Sequence, residues 1–197
     1  MKKLLLAAIV SLTTISSVAL AEIKVGIILG FTGPIETLTP AMRDSAKLAF
    51  AEVSASGALL GGETITPLIG DSTCIDSDAA VAAAELIVSE GAVAIMGADC
   101  SGVTGAIVTN VAVPNGVTMV SPSATSPGLT SLADNGLFFR TAPSDAKGGQ
   151  VLAQVALDRG LTSVAVTYTN NDYGKGLADV FEASFTSGGG TVTAVAP

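Results

Sequence analysis

Histidine and tryptophan are absent from this chain of 197 residues, and aromatic residues make up only 4% of it. Without histidine there is no Ser-His-Asp triad and no Cys-His pair. Two cysteines and no histidine are too few ligands for a zinc site. Basic residues are scarce as well: 9 Lys and Arg stand against 17 Asp and Glu, a formal net charge of −8. An acidic chain with no basic cluster argues against nucleic acid and anionic membrane surfaces as partners. No phosphate-loop pattern occurs, and Gly30-Phe31-Thr32-Gly33-Pro34 lacks the spacing of a dinucleotide fingerprint. Asp71, Asp76 and Asp78 lie close together, but no Gly and Glu follow at calcium-loop positions. Capping and turn roles suit them better. No catalytic residue, cofactor or metal is expected.

The first residues carry a different signal. Met1-Lys2-Lys3 is a basic start, Leu4 to Ile15 is mostly apolar, and Ala19-Leu20-Ala21 is a small-x-small cleavage pattern before Glu22. Residues 1–21 read as a secretory signal peptide, too short to be a membrane span. Its removal takes away Lys2 and Lys3 and no acid, leaving 7 basic against 17 acidic residues, a net charge of −10. No cysteine follows the cleavage site, so no lipid anchor is indicated. No later stretch is apolar enough over enough length to cross a membrane. With few aromatics, the core must come from Ala, Val, Leu and Ile, as in parallel sheets covered by Ala-rich helices.

Strand and helix patterns then alternate. Residues 24–29 read as a strand, Gly30 to Pro40 as a loop, and the stretch to about Ser56 as a helix with Met42, Ala46, Ala49, Phe50 and Val53 at helical spacing. Residues 65–69 form a second strand. Asp76 or Ser77 caps a helix with Val81, Ala84, Ile87 and Val88 as its buried stripe, closed by Gly91. Residues 93–96 and 118–120 are further strands, separated by a helix that Ser101 is placed to cap and that carries Ala106, Ile107 and Val111. A polar loop from Ser121 to Gly136 precedes a short extended piece, residues 138–140. The pattern restarts at Pro143: a helix capped by Ser144 or Asp145, a strand at residues 164–168, a helix from Gly174 to Ser187, and a strand at residues 191–195. Two successive β-α runs joined near residues 141–143 imply two lobes.

Two small-residue turns follow strands and offer hydroxyls and N–H groups at the carboxyl edge, where open α/β sheets bind ligands. One is Gly97-Ala98-Asp99-Cys100-Ser101-Gly102. The other is Ser121-Pro122-Ser123-Ala124-Thr125-Ser126-Pro127-Gly128. The hydroxyl and N–H of Ser101 at a helix start suit an anion such as a carboxylate. Thr125 can supply a second hydroxyl and N–H, and Ser123 backbone groups. Asn170-Asn171-Asp172-Tyr173-Gly174 places Tyr173 at the ligand edge of the second run. Cys74 and Cys100 are either a disulfide, as an exported pair usually is, or a reactive thiol pair. A disulfide would close a loop of roughly 26 residues and stabilise by about 3–4 kcal/mol in the chain-entropy model.

Six motifs in this order and spacing resemble a known family: Phe31-Thr32-Gly33-Pro34, Asp71 through Cys74 with Asp76, Cys100-Ser101, Ser121-Pro122-Ser123-Ala124-Thr125, Phe139-Arg140-Thr141 and Asp172-Tyr173-Gly174-Lys175-Gly176. The family is the periplasmic substrate-binding proteins of branched-chain amino acid ABC transporters, and the resemblance covers nearly all of residues 22–197. It implies an α/β, two-lobe type I periplasmic-binding fold with three-layer parallel-sheet lobes. It also implies that Cys74 and Cys100 form the family's first-lobe disulfide. The hydroxyls of Ser101 and Thr125 would bind the ligand carboxylate, with the backbone at Ser123 and Ala124 contributing. The ligand ammonium would meet the Ser123 and Thr125 positions and an acid from the second lobe. Tyr173 matches a second-lobe tyrosine near the ligand. Leu38 stands where leucine binders often carry an aromatic residue, in the side-chain pocket.

The expected organisation is a signal peptide at residues 1–21, a first lobe at 22–141 lacking its returning C-terminal segment, and the incomplete start of a second lobe at 142–197. The acid that meets the ammonium would lie beyond Pro197. The expected function is periplasmic capture of an amino acid or related amide by a monomer, and delivery to an ABC transporter permease. An extracellular sensor domain of a receptor with the same fold is the alternative. A secreted enzyme would need a Lys or carboxylate base in place of histidine.

Overall fold

The computed structural model describes residues 22–197, so the signal-peptide reading of residues 1–21 lies outside the described residues. β1 (Glu22–Leu29) forms the spine of a parallel sheet because its Ile27, Ile28 and Leu29 are buried on both faces. β2 (Thr64–Asp71) and β3 (Ala92–Gly97) pair with it on either side, and β4 (Thr118–Ser121) and β5 (Phe138–Arg140) extend the sheet beyond β3. The resulting order is β2-β1-β3-β4-β5. The sheet grows one way from β1 to β2, then the other way from β1 to β3. That reversal opens a crevice beyond the carboxyl ends of the strands.

Helices α1 (Thr39–Ser56) and α2 (Ser77–Ser89) connect the first three strands. Asp76 is the cap of α2: its carboxylate accepts from the N–H groups of Asp78 and Ala79, both at 3.0 Å. Ala80, Ala84 and Ile87 are the buried stripe of α2, with Val81 and Val88 packed beside them. Gly26 of β1 seats the helix close to the sheet, since a Cβ there would lie 2.8 Å from Ile87. Alternation along β4 and β5 turns Met119 and Phe138 into this core and sends Val120 and Phe139 to the opposite face, where Phe139 is 55% exposed.

The next helix differs from its expected form. α3 (Ser101–Ile107) runs through a wide π turn, Val108–Ala112, into α4 (Val113–Asn115). Pro114 cannot donate to the carbonyl one turn earlier, and the helix widens just before it. The capping expectation for Ser101 is corrected: Cys100, with an extended backbone, is the cap, and Ser101 is the first residue inside the helix. The polar loop after β4 holds a 3-10 turn, Pro127–Ser131.

A second parallel pair, β6 (Ser163–Thr167) and β7 (Thr191–Ala196), carries α5 (Asp145–Asp158) and α6 (Asp172–Ser187). Ser144 caps α5 through the N–H of Ala146, and Asn171 caps α6 through the N–H of Gly174. Here Ala153, Ala156 and Phe185 form a small separate core with Leu157, Val164, Phe181 and Val192. The Phe181 and Phe185 rings stack with centroids 5.5 Å apart.

Candidate functional site

Asp99 gathers the loops at the carboxyl edge of the first sheet. Its buried carboxylate accepts from the N–H of Gly30 (2.8 Å), the N–H of Cys100 (3.0 Å) and the hydroxyl of Ser72 (3.3 Å). Its carbonyl accepts from the hydroxyl of Ser123 at 2.9 Å. The loops after β1, β2, β3 and β4 are thus tied to one residue. A disulfide between Cys74 and Cys100, with Cα atoms 5.2 Å apart, adds a covalent tie between two of them. Asp71 fastens the first loop, accepting from the N–H groups of Phe31, Thr32 and Thr73 and from the hydroxyl of Thr32. Partial burial pulls the Asp71 pKa upward, but the Thr32 hydroxyl and the three N–H groups outweigh it and hold the pKa below the usual carboxylate value.

Each candidate hydroxyl has a defined partner. Ser101, 3% exposed, accepts from the N–H of Ser126 at 3.1 Å. Thr125 donates its hydroxyl to the Asp145 carboxylate at 2.6 Å and accepts the Asp145 N–H on its carbonyl at 3.0 Å. Ser121 holds the second turn from within, donating to the Ala98 carbonyl and accepting from the N–H of Ala124 at 3.0 Å.

These loops bound a cleft of about 820 Å³ between the two sheets. Ser101, Ser123 and Thr125 line it from one side, Tyr173 and Asp172 from the other, and Leu38 and Ile35 contribute apolar wall. The structure therefore brings together five of the six expected ligand residues. Ala124 stands behind the wall: it is fully buried, its N–H is engaged by Ser121, and its carbonyl accepts from Arg140 at 3.3 Å. Among the described residues, no lysine or arginine lines the cleft. A bound carboxylate would be met there by hydroxyls and N–H groups, which hold an anion by aligned dipoles. A second hollow, of about 690 Å³ beside β6 and α6, contains Tyr173 but none of Ser101, Ser123 and Thr125.

Two acids escaped the sequence reading as site residues. Asp172 lines the cleft from α6. Asp145 reaches Thr125 across 20 residues of chain. In sequence Asp145 is an ordinary helix-start acid, and nothing local marks its distant partner.

Comparison with known proteins supplies the context of this geometry. The sequence pattern of the periplasmic binding protein family matches residues 22–197. The Leu/Ile/Val-binding protein BraC3 of Rhizobium johnstonii is 33% identical over 188 residues, covering 95% of this chain and 50% of the relative. A leucine-binding protein of Thermotoga maritima superposes with a TM-score of 0.75 at 28% identity, over 89% of this chain and 49% of that one. A solute-binding protein of an R. palustris ABC transporter, solved with benzoate, gives a TM-score of 0.74 at 26% identity, over 89% and 48%. The chain spans about half the length of the curated relatives it matches. The parallel sheets have the type I periplasmic-binding fold.

Proposed function

Because this chain belongs to the periplasmic binding protein family, we propose that it contributes the first-lobe wall and part of the facing wall of a cleft that captures an amino acid with an aliphatic side chain. The full-length protein then delivers this ligand in the periplasm to an ABC transporter permease. The observation that carries the reading is the meeting of Ser101, Ser123 and Thr125 from one sheet with Tyr173 from the other around a single cleft. Leu/Ile/Val-binding relatives point to the branched-chain class of ligand. The domain assignment follows: residues 22–141 as first lobe and 142–197 as the beginning of the second.

The mechanism is capture. The N–H groups of Ser101 and Thr125 have no protein partner among the described residues, and both residues border the cleft. With the Ser101 hydroxyl they form a donor set for a carboxylate. Asp172 and the Ser123 carbonyl supply acceptors for an ammonium. Leu38, Ile35 and Tyr173 shape the space for the side chain. Closure of the lobes around the ligand removes water and strengthens each of these bonds. No helix among the described residues is long and apolar enough to cross a membrane.

The benzoate complex of the R. palustris neighbour supports a second reading, an aromatic acid as ligand. Mass spectrometry of the ligand that co-purifies with the full-length protein, followed by calorimetric titration with leucine, isoleucine, valine and benzoate, separates the two. Binding of the three amino acids and not of benzoate is expected. Tight binding of benzoate alone would replace the first reading by the second.

A further inference from the structure

We infer that Asp145 fixes the hydrogen-bonding polarity of the Thr125 hydroxyl, and so makes the cleft select ligands that carry a donor beside their carboxylate. The inference rests on the amino-acid reading above and adds to it the residue that enforces the choice.

A threonine hydroxyl has one proton to donate and lone pairs that accept. A carboxylate only accepts. In the 2.6 Å contact between Thr125 and Asp145 the hydroxyl must therefore be the donor. Its single proton is spent, and what remains to face the cleft is a lone pair. The Asp145 N–H simultaneously holds the Thr125 carbonyl at 3.0 Å, which keeps the carboxylate in place beside the hydroxyl. The two residues grip each other through side chain and backbone together.

Ser101 is wired in the opposite sense. Its oxygen accepts from the N–H of Ser126 at 3.1 Å, and its proton has no protein acceptor among the described residues. Two hydroxyls on one cleft thus have opposite polarity: Ser101 donates and Thr125 accepts. An α-amino acid carries an acceptor group and a donor group on one carbon and satisfies both. A simple carboxylic acid satisfies Ser101 but brings no donor to Thr125, so its oxygen would meet a lone pair. A polar group left unpaired in a closed cleft costs more than the mean hydrogen bond gains. Asp145 does not line the cleft; it is a positioning residue acting through Thr125.

The test uses leucine and 4-methylpentanoate, which is leucine without its amino group, titrated calorimetrically into the full-length protein. Wild type should prefer leucine by at least about a hundredfold, because a site built to hydrogen-bond a substrate group strongly rejects the analogue that lacks it. Asp145→Ala frees the Thr125 proton to point into the cleft, and the preference should fall about tenfold or more. Asp145→Asn keeps an acceptor oxygen and should retain most of the preference. If Asp145→Ala does not fold, Thr125→Val, which deletes the lone pair, should lower the same ratio. A merely structural role for Asp145 would weaken both ligands equally and leave the ratio unchanged. That result, with a wild type that prefers leucine, overturns the inference alone. Wild type that binds neither compound overturns the amino-acid reading and the inference falls with it.

Discussion

Gly176 of α6 and Ser126 of the first-lobe loop stand so close that a Cβ on the glycine would lie 2.9 Å from the serine hydroxyl oxygen, and equally near Pro127. The α6 side of this contact has no side chain; the Ser126 and Pro127 side chains pack directly on the glycine. Gly176→Val should therefore wedge the two lobes apart. Helix propensity favours the replacement, so the unfolding midpoint should move little. Affinity for the ligand should fall by about tenfold, in line with the roughly 1–3 kcal/mol cost of overpacking, and small-angle scattering should show a less compact ligand-saturated form. Unchanged affinity and unchanged scattering would remove this contact from any role in closure.

Ser101→Ala deletes an oxygen that serves two purposes, accepting the Ser126 N–H and offering a donor to the cleft. Removing one partner of a buried hydrogen bond costs about 1–3 kcal/mol. Ligand affinity in the full-length protein should drop about tenfold or more in calorimetry. An affinity equal to wild type would take Ser101 out of the site.

The Cys74–Cys100 bridge joins two loops that hydrogen bonds already hold. Its loss should lower stability by about 2–5 kcal/mol, as for other small native disulfides. Thermal unfolding with and without a reductant checks this. The wild-type midpoint should fall on reduction, and that of the Cys74→Ser/Cys100→Ser variant should not respond.

Asp71 has a pKa held below the ordinary carboxylate value by the Thr32 hydroxyl and three N–H groups, against the opposing effect of burial. A depressed folded-state pKa stabilises above the unfolded value, about 3.9, and this contribution disappears as pH falls through the folded value. Urea unfolding from pH 7 to pH 3 should show a loss of stability confined to the region below about pH 4 that Asp71→Asn does not share. Identical acid-side slopes for the two proteins would contradict the assignment.

The alternation of strands and helices was legible because apolar runs and helical stripes are local. Asp76, Ser144 and Gly91 marked helix ends for the same reason. The sequence pattern puts the cap one residue too late, at Ser101, because Cys100 caps the helix with its backbone alone, which leaves no side-chain signature. The π turn was invisible, since Ile107 and Val111 keep an ordinary helical spacing through it. Ser101, Thr125 and Tyr173 line one cleft, although no local pattern in the sequence joins them. The burial of Ala124 and the grip of Asp145 on Thr125 depend on which loops fold against each other. Contacts across 20 residues have no periodicity to read.

Asp99 has a consequence for how ligand preference can change. Because four loops share this residue, the polar frame cannot be retuned one loop at a time; a shift in any loop is felt by the others. Leu38 and Tyr173 lie outside that arrangement, 62% and 45% exposed, with no side-chain hydrogen bond to protect. They can be exchanged without disturbing the frame. New ligand preferences should therefore be written first at these two rim positions, while the head-group chemistry stays where Asp99 holds it.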